Sequence, residues 1–204
     1  MTIKVCVVLV AAVIVSLPDG TASQLATIPE QLAKAGRSLS SGASIPSGLA
    51  PTIDDILADT DLIVTGIVGE PRSYLSDDQM DVYTDYPILN PVVLYQSGVV
   101  ASRVTNMPGI IATVVGGTVM IDGLTFTSTP EALPRLEPGS ESLLLLKLRD
   151  DHYHLAGTYF GAFGISAGRL TPLTKKRGFA SEYVNAAVPE AAKEFVGRRR
   201  RLHR

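Results

Sequence analysis

Short runs of β-branched and other apolar residues recur along most of the chain, and turn residues separate them. Leu62 to Val68 is one such run and is too short for a buried helix. Asp81 to Ile88 alternates between apolar and polar residues, which places Val82, Thr84 and Tyr86 on one face of a strand. Both segments are therefore predicted to be strands.

Turn signals divide the rest of the chain at regular intervals. Gly116-Gly117 and Asp122-Gly123 stand between β-rich runs and predict hairpin turns. About eight short strands without α/β alternation indicate a mainly β fold. We expect one small antiparallel β-barrel, OB-like, or else a sandwich, with short flanking helices. The further predicted strands are Ile110 to Val115, Thr118 to Ile121, Leu124 to Thr129, Leu143 to Leu148, Tyr153 to Leu155, Tyr159 to Ile165 and Arg169 to Leu173.

Helices are predicted only around this β region. Residues 24–51 form a Ser/Gly/Pro-rich linker with a short helix in its first half. Thr52 caps a second short helix, which begins a barrel domain over residues 52–175. Residues 176–204 are predicted to be a closing helix, broken near Pro189, followed by a basic tail.

The first 23 residues have the order of a secretory signal peptide. Lys4 gives a positive start, Val5 to Leu17 is an apolar run, and small residues follow Gly20. A helix of that run reaches about 20 Å, short of the roughly 30 Å hydrocarbon core of a bilayer. We predict cleavage near Ala22 or Ser23 and a secreted or periplasmic protein, with no transmembrane span after cleavage. An uncleaved anchor and a buried strand are the alternatives.

Composition removes several chemistries from the mature protein. The only cysteine, Cys6, lies in the signal, so disulfides and thiol nucleophiles are excluded after cleavage. With the five C-terminal arginines set aside, and Lys4 cancelling Asp19, the formal charge of −2 becomes −7 for Ser23 to Gly197. An acidic body argues against a nucleic-acid partner, because phosphate contacts require clustered Lys and Arg.

The segment Ala58 to Val68 resembles the opening of exported bacterial small β-barrel proteins of unknown function, distantly OB-like or netrin-like. The likeness covers Thr52 to Leu173 and implies a compact β-barrel without an assigned activity. Netrin-like barrels carry cysteines that this chain lacks. Later elements that share the resemblance are Tyr83 to Tyr86, Pro138-Gly139 before Leu143 to Leu148, and the glycine-rich Tyr159 to Gly164.

Two histidines make the best candidate metal site. His152 and His154 lie two positions apart, so a strand presents both imidazoles on one face. Two nitrogen ligands hold Zn²⁺ or Cu²⁺ only with a third ligand. Asp151, next to His152, is the candidate third ligand, and Asp150 is also close in sequence. Asp77, Asp78, Asp81 and Asp85 are alternatives if the fold brings them close. A solvent-facing histidine pair is the simpler interpretation.

Aromatic and acidic residues make a candidate partner surface. Tyr74, Tyr83 and Tyr86 fall close together, around an acidic loop that includes Asp77 and Asp78. Tyrosines on one exposed face suit a protein or glycan partner. Packing of the rings in the core is the alternative.

The basic C-terminus is a candidate polyanion site. Arg198, Arg199, Arg200 and Arg201 could contact an anionic surface such as acidic lipid. A chain end without a function is the alternative.

No residue set predicts an enzyme or a cofactor. Gly164 to Gly168 matches G-x-S-x-G, but a strand follows it and no Asp lies downstream of Ser166. We therefore expect a non-enzymatic binding or interaction module of the cell envelope or secreted space, with another envelope or extracellular protein as its partner. A metal-binding protein or metal-dependent enzyme using His152 and His154, and an inhibitor of an extracellular enzyme, remain as alternatives.

Overall fold

The structure is a computed structural model that describes residues 26–42, 51–98, 100–101, 109–130, 133–174 and 180–202. The predicted signal, residues 1–23, lies outside the described residues. The strands are β1 (Leu39–Ser41), β2 (Leu62–Val68), β3 (Arg72–Leu75), β4 (Val82–Gln96), β5 (Ile110–Val115), β6 (Gly117–Ile121), β7 (Leu124–Ser128), β8 (Glu141–Arg149), β9 (His152–Leu155), β10 (Ala162–Ser166) and β11 (Arg169–Pro172). The helices are α1 (Ile28–Ala35), α2 (Ile53–Ala58), a 3-10 turn (Ser181–Tyr183) and α3 (Val188–Leu202).

Five strands close into a barrel in the order β2-β4-β5-β9-β8 and back to β2. All neighbours are antiparallel except β5 and β9, whose parallel pairing joins the third strand to the fifth. That is the Greek-key order of an OB-type barrel. The prediction of a mainly β, OB-like barrel is thus confirmed, and the sandwich alternative is not the fold.

The apolar run of β8 is explained by burial on both of its faces. Leu144 and Leu146 point into the barrel, while Leu143 and Leu145 point outward under a second layer, and all four are fully buried. This layer contains Ile56 and Leu57 of α2, Phe163 of β10 and Phe195 of α3. When both faces of a strand are buried, alternate positions are not polar, and this explains the run of leucines in β8.

A small second sheet lies beside the barrel, and it includes part of the segment 24–51, which was predicted to be a linker with a short helix; that helix is α1. Ile28 and Leu32 of α1 are buried against Phe126 of β7. Strand β1, Leu39–Ser41, pairs in parallel with β7 in the order β1-β7-β6. Residues 26–42 are therefore folded, because their apolar side chains pack against β7. Residues 43–50 lie outside the described residues.

The last elements differ from their predicted limits. Ala180 and Asn185 have left-handed backbone (φ +47° and +64°), so the chain turns twice before α3 begins at Val188. Pro189 lies in the first turn of α3 and does not break the helix. Backbone N–H groups in the first turn have no acceptor within the helix, so the missing N–H of proline costs no hydrogen bond. The strand predicted from Tyr159 starts only at Ala162. Among the described residues, no helix combines the length and the apolar character needed to span a membrane.

Candidate functional site

Two segments that are about seventy positions apart in sequence meet at one end of the barrel. They enclose a pocket of about 380 Å³, here called the acid pocket. One wall comes from the β2–β4 connection and the start of β4, and the other from the β8–β9 hairpin. The residues that line the acid pocket are Tyr74, Ser76, Asp77, Asp78, Asp81, Tyr83, Asp150, His152 and His154.

The acidic loop between β3 and β4 is held by its own hydrogen bonds. The Ser76 hydroxyl donates to Asp78 Oδ1 (2.6 Å), and the same carboxylate oxygen accepts the Met80 amide (3.0 Å). The second bond is an Asx turn, the local motif that makes Asp common in loops. The Gln79 carbonyl accepts the Ile28 amide of α1 (2.9 Å). The loop is therefore fixed at both its tip and its base.

The opposite wall is a two-residue hairpin. Asp150 and Asp151 both have positive φ (44° and 67°), the pattern of a type I′ turn, and Asp tolerates this conformation better than most residues. After the turn Tyr153 points into the barrel core. His152 and His154 therefore point outward, with ring centroids 6.4 Å apart. The sequence prediction that both imidazoles share a face agrees with this arrangement.

A row of aromatic rings joins the two walls. The Tyr83 ring lies 6.0 Å from His154 in an edge-on arrangement and 6.0 Å from Tyr74, its cross-strand neighbour. The Tyr74 hydroxyl donates to Asp85 Oδ1 (3.2 Å), which also accepts the Thr113 hydroxyl (2.7 Å). These bonds fix the Tyr74 ring, and the Tyr83 ring packs between it and His154, so the floor of the acid pocket is preformed.

The charges of the acid pocket are negative. Asp77, Asp78, Asp81 and Asp150 contribute four carboxylates, and no Lys or Arg is among the described residues that line it. Burial, followed by the charges of Asp81, Asp78 and Asp150, raises the pKa of Tyr83 above its usual value. Hydrogen bonds from Ser76 and from the Met80 amide hold the pKa of Asp78 below its usual range. The site therefore favours a cation, with aromatic faces beside it.

His154 is held neutral near pH 7. Its partial burial lowers the pKa below that of an ordinary histidine, and the positive charge of Arg149 and the neighbouring His152 lower it further. The carboxylates of Asp150 and Asp85 oppose the shift and do not reverse it.

Among the described residues, no third ligand joins His152 and His154. Asp151 lines a neighbouring cleft with His152, and the acid pocket does not include it. Across the described ranges, no three His, Cys, Asp or Glu side chains are grouped closely enough to hold a metal ion.

The remaining predicted residues divide between the acid pocket and other places. Tyr74, Asp77, Asp78 and Tyr83, four of the five residues of the predicted partner surface, line it together. Tyr86 does not, because the alternation of β4 turns its ring toward the barrel core.

The arginine run is part of helix α3 and does not form a tail. Arg198 pairs with Asp54 of α2 (2.8 Å) and with Glu194 (3.2 Å). Arg199 is 2% exposed and donates to the Thr60 carbonyl. Only Arg200 and Arg201 of the four are exposed. Half of the predicted polyanion site is therefore used to hold α3 on the barrel.

The sequence does not predict that Asp81, Asp150 or Ser76 belongs to a partner-binding site. It indicates Asp81 and Asp150 only as alternative metal ligands, and it gives no signal for the loop-forming role of Ser76. Their convergence depends on the parallel β5–β9 pairing, which brings the hairpin beside β4. A short parallel pairing of this kind leaves no local sequence signal.

The chain matches no model of a known protein family, and a search of curated proteins finds no similar sequence at a significant level. The fold and the acid pocket therefore supply the basis for the functional proposal.

Proposed function

We propose that this protein is a non-enzymatic binding module of the cell envelope or secreted space. Its acid pocket takes a cationic group of a partner protein, such as a lysine or arginine side chain. The observation that carries this proposal is that four aspartates line one pocket together with Tyr83 and His154. The exported location is proposed on the sequence of Val5 to Leu17 alone.

The position of the acid pocket on the barrel supports a binding role. OB-type barrels bind ligands at the loops between strands one and two and between strands four and five, beside the face of strands two and three. In this chain those loops are the β2–β4 connection and the β8–β9 hairpin, which form the two walls. This support is an analogy between folds and does not identify a ligand. The negative charge excludes phosphate-rich ligands and favours basic ones.

Removing two carboxylates should weaken the binding of a basic ligand. Asp77→Asn with Asp150→Asn keeps side-chain size and removes two charges. A carboxylate about 4 Å from a cation contributes about 1 kcal/mol in water-like surroundings. Loss of two such carboxylates therefore costs about 2 kcal/mol, and we expect roughly thirtyfold weaker binding. The measurement is fluorescence anisotropy of a labelled pentalysine peptide at about 50 mM salt, where charge screening is moderate.

The matched control removes two carboxylates far from the acid pocket. Glu182→Gln with Glu190→Gln changes the net charge equally, on the 3-10 turn and on α3. Equal weakening by both pairs would show that the peptide responds only to overall charge, and would contradict the proposal. A labelled pentaglutamate peptide should not bind to either variant or to the unmodified protein.

Binding of the basic peptide should weaken as the pH falls. Because burial holds the pKa of His154 below its usual value, the ring is neutral near pH 7 and gains a positive charge only as the pH is lowered from there. Asp78 remains ionised, since its pKa is lowered. The added charge repels a bound cation, so we expect a several-fold loss of affinity as the ring gains its charge and a smaller loss in His154→Gln. The charged or titratable groups that face this ring are Tyr83, Asp85, Arg149, Asp150 and His152, together with Lys147, its cross-strand neighbour on β8.

An affinity that is constant or rises as the pH falls would contradict the placement of the cation beside His154. Circular dichroism at each pH serves as the control, because it reports whether the fold itself has changed.

A further inference from the structure

A second, apolar cavity adjoins the acid pocket. It has a volume of about 690 Å³, lies on the β4–β5 face, and is here called the apolar cleft. Leu89 and Ile111 line it with half of their side-chain surface exposed (50% and 46%). Pro87 and Pro91 also line it, and their rings offer carbon surface with no amide donor.

The two cavities share a wall. His152 lines both of them. Asp85 lines the apolar cleft and accepts the hydroxyl of Tyr74, which lines the acid pocket. An occupant that fills one cavity therefore extends toward the other. The spacing follows from β4, where Tyr83 and Pro87 are four residues apart, about 13 Å along a strand.

We propose that the apolar cleft and the acid pocket together bind one extended peptide segment, in which an aliphatic residue lies about two to four positions from a lysine or arginine. This inference rests on the proposed function and specifies its ligand. The aliphatic side chain packs between Leu89 and Ile111, and the basic side chain enters the acid pocket.

Charge selects this occupant over a second copy of the same chain. Asp85 and Asp151 lie in the apolar cleft, and four more carboxylates lie next to it. Two copies meeting at this face would bring like charges together, which is unfavourable. A basic segment neutralises them, and its aliphatic residue covers the exposed carbon surface.

The test compares four labelled peptides by fluorescence anisotropy. The first contains one leucine and one lysine separated by two glycines, the second replaces leucine by serine, and the third replaces lysine by glutamine. A fourth peptide reverses the order of leucine and lysine, because the direction of the chain is part of the question. We expect the better of the two leucine-lysine peptides to bind roughly tenfold more tightly than the serine-lysine peptide, since burial of a leucine side chain contributes this much.

Protein variants separate the two cavities. Leu89→Ser with Ile111→Ser should remove the tenfold advantage and leave the serine-lysine peptide unchanged. Met120→Ser is the control, because Met120 is 76% exposed on β6 and lies outside the apolar cleft. Circular dichroism reports whether each variant is folded. If the double variant does not fold, the single variant Ile111→Ser is used in its place.

Three results would overturn this inference. They are equal binding of the leucine and serine peptides, no effect of the Leu89 and Ile111 variants, and self-association of the protein that the same variants abolish. If Asp77→Asn with Asp150→Asn still weakens both lysine peptides, the proposed function stands while the peptide inference fails. If that pair has no effect on either lysine peptide, the proposed function itself fails.

Discussion

Replacing Phe195 by alanine is expected to lower the free energy of unfolding by about 4 kcal/mol, because a large buried ring leaves a cavity that the surroundings fill only partly. Phe195 is fully buried, and its ring lies 4.7 Å from Tyr183 and 5.5 Å from Phe163. For a chain of this size the loss corresponds to a fall of roughly 10 °C in Tm. Urea and thermal unfolding followed by circular dichroism measure both quantities.

The control for this change is Val184→Ala, since Val184 is 49% exposed and its truncation should cost little. A loss below about 1 kcal/mol for Phe195→Ala would show that α3 does not pack on the barrel as described. Binding of the basic peptide should survive at temperatures where the variant is folded, because α3 contributes no residue to the acid pocket.

Arg199→Ala is expected to destabilise the protein by about 3 kcal/mol. Its guanidinium donates to the Thr60 carbonyl and lies 5.4 Å from the centre of the Tyr95 ring. A charge-assisted hydrogen bond contributes about 1.5–3 kcal/mol and a desolvated cation–π contact up to about 2, against the cost of burying the charge. The same unfolding measurement applies. Arg200→Ala, at an exposed neighbouring position, should stay within about 0.5 kcal/mol of the unmodified protein.

Arg199→Met separates the charge from the packing of the side-chain stem. We expect a smaller loss than for alanine, because methionine keeps most of the apolar contact. If Arg199→Ala and Arg200→Ala have equal small effects, the arginines act as the surface run that the sequence suggested. Liposome binding by the four-arginine run is a poor test of function, since two of its members hold the fold together.

The barrel was predictable because its signals are local. The run at Leu143 to Leu148 and the alternation from Asp81 each identify a strand with a defined buried face. The glycine pair at 116–117 and Asp122-Gly123 mark turns that the structure places between β5, β6 and β7. These patterns need no knowledge of which strands become neighbours.

The acid pocket was predictable only in parts. The histidine pair and the acidic loop with Tyr74 and Tyr83 were recognised separately, as a metal site and as a partner surface. The two parts lie together in one pocket because Ala112 pairs in parallel with Tyr153, and Thr113 with His154. These contacts join residues about forty positions apart in the chain. Non-local pairing of this kind is set by the closure of the whole barrel, so no short segment encodes it.

For Arg199, the local sequence pattern predicts the wrong role. Five arginines near a chain end are typical of a solvated basic tail. In an α-helix successive side chains point about 100° apart, so the arginines face different sides of α3. Arg199 is buried, whereas Arg200 is exposed to solvent. Only the position of Tyr95 and of the Thr60 carbonyl decides which arginine is buried, and both belong to distant elements.

The most direct measurement is an NMR titration of the protein with N-acetyl-lysine methylamide, with N-acetyl-norleucine methylamide as the uncharged control. We expect the lysine compound to shift the imidazole signals of His152 and His154 and the backbone amides of residues 74–83 and 150–154. The norleucine compound should leave His154 and the acidic loop unchanged. Lysine-induced shifts confined to α3, or equal shifts by the two compounds, would contradict a cation site in the acid pocket.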